Sequence, residues 1–162
     1  MQPRFETIPD KQLAGRSARM SLARNGTAAL WQSFMQQKKE LKTIAGTDLY
    51  SVQVFDPGFD LRQFTPQTEF LKIAGAEVSS VEDLPEGIEA FTLPGGLYAV
   101  FLHKGGPSRG AESFRYIYGT WLPQSGYVLD ERPHFEVLGY GYKGDHPDSE
   151  EEIWIPVRIR RD

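Results

Sequence analysis

Shifted by about 85 residues, the chain falls onto itself. Pro9 meets Pro94, Ala14 meets Ala99, Val52 meets Val137 and Phe55 meets Tyr140; with one residue more or less, Phe5 meets Phe91 and Ile73 meets Val157. The elements repeat in the same order. Strand patterns at Phe5–Ile8, Leu13–Ser17, Leu49–Phe55 and Glu69–Val78 are answered by Ile88–Leu93, Tyr98–His103, Phe135–Tyr140 and Glu152–Ile159. A helical segment sits inside each half. Asn25-Gly26-Thr27 opens the first, in which Leu30, Trp31, Phe34, Met35 and Leu41 recur at three- and four-residue spacing. The second starts near Ser108, places Phe114, Ile117, Tyr118 and Trp121 on one face, and is predicted to stop at Pro123. A βαββ unit covers one sheet face with its helix and leaves the other in need of cover. Duplicated, such units predict an α+β fold: a curved antiparallel sheet with two helices on one face and a ligand groove between the repeats. The 162 residues suit a single domain, 1–162, with pseudo-repeats of about 1–86 and 87–162.

Composition narrows the function. The chain has no cysteine, which excludes a disulfide scaffold, a thiolate metal site and a cysteine nucleophile. His103, His134 and His146 show no ligand spacing, so neither a metal nor a cofactor is expected. With 18 Lys and Arg against 22 Asp and Glu the net charge is −4, the wrong sign for direct nucleic-acid binding. The longest apolar run, Leu97–Leu102, is far short of the ~20 residues a membrane helix needs, and Met1–Glu6 lacks a secretory apolar stretch. A soluble, cytoplasmic protein is expected. Aromatic residues, at 12%, are abundant enough to require a core, an interface or a pocket.

Four stretches carry a resemblance. Tyr98-Ala99-Val100-Phe101 is followed by Tyr116 through Tyr127, with its Trp121-Leu122-Pro123-Gln124-Ser125-Gly126-Tyr127 element, and then by Phe135-Glu136-Val137; the chain closes on Ile153-Trp154-Ile155-Pro156-Val157. Together they resemble the GyrI-like small-molecule-binding domain, also found as the effector-binding domain of AraC-type and MerR-type transcription regulators. The match is firmest from about Ile88 to Ile159. The resemblance implies that Glu136 sits in a pocket with aromatic residues and that the ligand is lipophilic and cationic. Leu138 stands where the family often has Tyr, which makes Tyr140 the nearest aromatic on that strand face. No helix-turn-helix region precedes the domain, so the stand-alone form is expected.

The residues themselves lead toward a similar site. Alternation puts Phe135 and Val137 on one face of their strand and Glu136, Leu138 and Tyr140 on the other. In the last strand Ile153, Ile155, Val157 and Ile159 form the core side, so Glu152, Trp154, Pro156 and Arg158 look away from it. Glu136, Trp154, Tyr140, Trp121, Tyr98 and Phe55 are the expected ligand-binding residues, with no catalytic residue assigned; Trp121 and Tyr98 read equally as core packing, and Trp154 also fits a surface or dimer-contact ring. Where the second half has Glu136 the first has Ser51, on one face with Gln53 and Phe55, which implies one charged site per chain. Tyr50, beside Val52 and Val54, belongs to the core, and the acidic run Asp148–Glu152 reads as a solvated hairpin arm. Two other readings stay open: a hydrolase with Glu136 as general base, assisted by Tyr140, Tyr98 or Trp121, and a protein-interaction module whose acidic surface meets a basic partner.

Overall fold

The computed structural model describes residues 1–161, so Asp162, the last residue of the expected domain, lies outside it. The first half consists of β1 (Arg4–Ile8), β2 (Lys11–Met20), α1 (Thr27–Lys38), β3 (Ile44–Val54) and β4 (Phe70–Val78). The second consists of β5 (Glu89–Leu93), β6 (Gly96–Lys104), α2 (Gly110–Tyr116), a π-helical segment (Ile117–Trp121), α3 (Leu122–Gln124), β7 (Tyr127–Leu129), β8 (His134–Leu138) and β9 (Glu150–Ile159). Every strand pairing is antiparallel, and the order is β1-β6-β9-β8-β3-β4-β2-β5 with β7 added at the end of β9. The sheet curves into a half-barrel with the helices on one face, an α+β fold of two βαββ units.

The halves exchange their first strands, β1 pairing with β6 and β5 with β2. This leaves β3 and β8 as neighbours at the centre, where Tyr50 pairs with Val137, Ser51 with Glu136 and Val52 with Phe135. Since Val52 and Val137, and likewise Tyr50 and Phe135, are equivalent positions, the pseudo-two-fold axis passes through the Ser51–Glu136 pair. Two sequence matches move by whole residues. Phe5 pairs with Ala99 whereas Ala14 pairs with Ala90, so Phe5 corresponds to Ala90 and not to Phe91, which lies on the opposite face. Val52 pairs with Ile73 as Val137 pairs with Glu152, so Ile73 corresponds to Glu152 and not to Val157. The cause is the shorter β8–β9 connection.

Both faces of the sheet are packed. On the helix face, Leu30 and Phe34 of α1 lie on Ala14, Ala74 and Ala76, whose small side chains admit the helix closely. Ile117 does the same over Ala99, Phe101, Ile153 and Ile155. On the open face, Leu13, Tyr50, Val52, Ile73, Leu93, Tyr98, Val100, Phe135, Val137 and Trp154 form a cluster free of helix residues, which confirms Tyr50 as core. Burying each of the larger members contributes roughly 1.5–3 kcal/mol. The second helix does not stop at Pro123: it widens to a π turn over Ile117–Trp121 and ends one residue beyond the proline, at Gln124. β7 has no counterpart among the expected strands.

Candidate functional site

α1 packs over β2 and β4, and α2 with its π turn over β6 and β9, so the helix face of the β3–β8 pair lies between the two helices. Period-two alternation sends Ser51 and Gln53 to this side from the β3 strand, with Phe55 just past its end, and His134, Glu136 and Leu138 from β8. Glu136 is half-buried on the axis beside Ile153. Two further charged side chains join it. Glu151 of β9 is buried and within hydrogen-bonding reach of Glu136, and Lys72 of β4 is buried near both carboxyl groups.

Each group is shifted for a physical reason. Burial pushes the Glu151 carboxyl up to about 8, helped by the charge of Glu136 and the hydrogen bond with it and opposed by Lys72. Burial lowers the Lys72 ammonium, while Glu136 and Glu151 hold it up. The Gln53 amide, oriented with its oxygen toward Lys72 Nζ, accepts from that ammonium and donates its N–H to the His134 carbonyl at 3.2 Å. His134 is pushed down to about 4 by burial and by Arg132, and is therefore neutral; its Nδ1 and the Tyr118 hydroxyl share a hydrogen bond at 2.8 Å. Burial raises Tyr118, and so does Glu136. Burial also raises Tyr142, with smaller contributions from Glu151, Glu136 and Asp145. The π turn belongs to this site, because it carries Tyr118 toward His134, and π turns are frequent where function is built. Phe55 closes the edge, its ring meeting His134 edge-on at 5.5 Å.

The six residues expected together are divided by the sheet. Glu136 and Phe55 share the helix face. Trp154 and Tyr98 lie on the open face, where Trp154 stacks on Phe135 at 5.2 Å and Tyr98 donates its hydroxyl to the Pro94 carbonyl at 2.6 Å. Their rings already carry cations, Arg4 over Trp154 and Arg132 over Tyr98 at 4.5 Å. Trp121 packs against Phe101, Phe5 and Tyr127 on the outer flank. Tyr140 is fully exposed, because β8 ends at Leu138 and alternation does not carry past it; Tyr142 is the tyrosine near Glu136. The grouping of Trp154 with Glu136 assumed a single buried face, and the sheet has two. The acidic run is likewise not a solvated arm throughout, since Glu150–Glu152 begin β9 and Glu151 is buried.

Glu151, Lys72, Tyr118 and His134 escaped the sequence reading, yet two of them left a trace. Glu151 shares the parity of Ile153, Ile155 and Val157, the face read as core, and Lys72 is a lone charge inside the apolar run Leu71–Ala74. Surface cavities of about 320 Å³, lined by Met1, His103, Arg109 and Ser113 among others, and about 260 Å³, lined by Leu13, Ile73, Phe91 and Leu93 among others, do not include Glu136. Among the described residues no helix is long and apolar enough to cross a membrane.

Two βαββ halves around a charged, aromatic-lined axis define a small-molecule-binding domain. Residues 1–158 match the family described as the GyrI-like small molecule binding domain, and the chain belongs to that family. It is 33% identical over 131 residues to the transcriptional regulator BrlR of Pseudomonas aeruginosa, an alignment covering 79% of this chain and 45% of BrlR; the chain thus matches less than half the length of that relative. The structure of SAV2435 bound to tetraphenylphosphonium has the same fold, with a TM-score of 0.75 at 16% identity, covering 98% of this chain and 94% of that one. The EcmrR C-terminal domain gives a TM-score of 0.74 at 16% identity and 98% coverage of both chains.

Proposed function

We propose that this domain binds lipophilic organic cations in the cleft between the helices, with Glu136 as the charge partner, and acts as a cytoplasmic receptor or sequestering domain. The observation that carries this reading is the position of Glu136: a half-buried carboxylate on the pseudo-axis, beside a second carboxyl group and the rings of Tyr118 and Tyr142, with Phe55 at the edge. Support comes from SAV2435, which shares the fold and is described with a bound lipophilic cation. Contact of a cation with an aromatic face contributes about 0.5–2 kcal/mol depending on desolvation. A carboxylate in the same partly dry site adds charge pairing and excludes anions.

Calorimetric titration with tetraphenylphosphonium and with neutral triphenylphosphine oxide, on the wild type and Glu136→Gln, tests the reading. Cation binding that weakens at least tenfold in the variant while the neutral compound changes little is the expected result. Equal losses for both compounds, or no binding of the cation to the wild type, overturns it; ligand recovered chemically altered replaces it with the hydrolase reading.

A further inference from the structure

The pseudo-axis superposes Ser51 on Glu136, and the strand pairings that relate Ile73 to Glu152 relate the preceding residues, Lys72 and Glu151. At two equivalent pairs of positions, then, the second half supplies two carboxyl groups and the first supplies a hydroxyl and an ammonium. The groups around them add no charge: His134 of β8 is neutral, Tyr118 of the π turn and Tyr142 of the β8–β9 turn keep their protons, and Gln53 of the β3 strand is an amide. Resting on the reading of this cleft as a cation site, we propose that Glu151 is its second carboxylate, that Glu136 and Glu151 share one proton when the cleft is empty, and that an incoming cation replaces this proton.

Charge counting in a site of low dielectric leads to this exchange. Empty, the cluster holds the Lys72 ammonium, one carboxylate and one carboxyl group, a net charge of zero. An added cation with the proton retained leaves one uncompensated positive charge among buried groups, which is costly. Release of the proton from Glu151 Oε to water leaves two carboxylates against Lys72 and the ligand, again zero. No other reactant is needed: the O–H bond of the carboxyl group breaks and the proton passes to solvent. Lys72 sets the count. Without it the empty pair already carries one negative charge, and a cation neutralises it with no proton lost. The raised Glu151 carboxyl, near 8, places the exchange within a testable pH range.

Two arms test the proposal and keep it separate from the reading beneath it. In the first, the ligand-free protein labelled with ¹³C at the Glu side-chain carboxyl is titrated by NMR; Glu151 titrates near 8 and falls in Glu136→Gln. Titration of Glu151 in the ordinary carboxylate range overturns the proposal whatever cations do. In the second, tetraphenylphosphonium binding is measured by calorimetry in buffers of different ionisation enthalpy between pH 6 and 9. The wild type releases about one proton per cation near pH 7, and its affinity drops toward tenfold per pH unit below 8. Glu151→Gln abolishes both the release and the pH slope and binds more weakly at pH 9. Lys72→Met abolishes the release and binds more tightly near pH 7, a gain that damage to the fold does not produce. Binding without proton release in the wild type overturns the exchange and leaves the cation site standing. Absence of cation binding with the Glu151 titration intact overturns the cation site, and the exchange with it.

Discussion

The two halves of this sheet share a backbone and differ in what they place at equivalent points. On the helix side the first half carries Ser51 and Lys72 where the second carries Glu136 and Glu151. On the open side the Gly15–Gly75 pair of β2 and β4 occupies the position of the Val100–Trp154 pair of β6 and β9, and Leu13 that of Tyr98. A Cβ on Gly15 would fall 2.8 Å from Gly75 Cα and closer still to the Ala74 carbonyl, so the first half closes by backbone approach. The second closes by stacking Trp154 on Phe135, with Tyr98 edge-on to both. Duplication thus supplies the scaffold twice and the pair of carboxyl groups once. Aromatic mass lies on the open face, where it packs the core, and the carboxyl groups lie at the axis, where the cation site is proposed.

The sharpest test of that division is Trp154→Ala, which removes a buried ring and is expected to cost about 3–5 kcal/mol in denaturant unfolding. The folded fraction should keep its affinity for tetraphenylphosphonium; a selective loss of affinity at preserved stability would make Trp154 a ligand contact. Next, Glu136→Ser gives both halves the same residue on the axis and should lower cation affinity ten- to hundredfold, about 1.4–2.7 kcal/mol, while neutral analogues stay within a few-fold by titration calorimetry.

A smaller effect comes from pH. Folding raises Glu151 from its ordinary 4.5 to about 8, so the folded state binds the extra proton and stability declines as pH rises through that range. Folding lowers His134 from 6.5 to about 4, which contributes stability above 6.5 that is lost as pH falls through 4. Between pH 6.5 and 8 only the Glu151 slope should be visible of these two, a decline of about 1–2 kcal/mol by urea denaturation that is absent in Glu151→Gln. A wild type with no decline would mean the carboxyl is ionised at no cost. Smallest of all, Tyr140→Ala should leave both melting temperature and cation affinity unchanged, because the ring is fully exposed; a change in affinity would bring the β8–β9 turn into the site.

The duplication, the order of the elements and the class of fold were legible because period-two and period-3.6 patterns survive in both halves. Register was not. Phe5 and Ile73 matched the wrong partners since sequence similarity of common residues does not see hydrogen-bond pairing, and a one-residue slip changes the face. Glu136 was legible as a lone carboxylate between Phe135 and Val137. Its surroundings were less legible. Glu151 was absorbed into an acidic run that sounded solvated, and Trp154 was assigned by assuming that the face away from Ile153, Ile155 and Val157 was open to a ligand. No periodicity reports the π turn that carries Tyr118 toward His134.

The most direct measurement is a crystal structure of the protein with tetraphenylphosphonium. The expected result is the phosphonium in the cleft between the helices, facing the Glu136 and Glu151 carboxylates with Tyr118 displaced or stacked against a phenyl ring. Density for the cation on the open face, in the cavity lined by Leu13, Ile73 and Phe91 or against Trp154 and Tyr98, would contradict the assignment of binding to the axis and of packing to the rings.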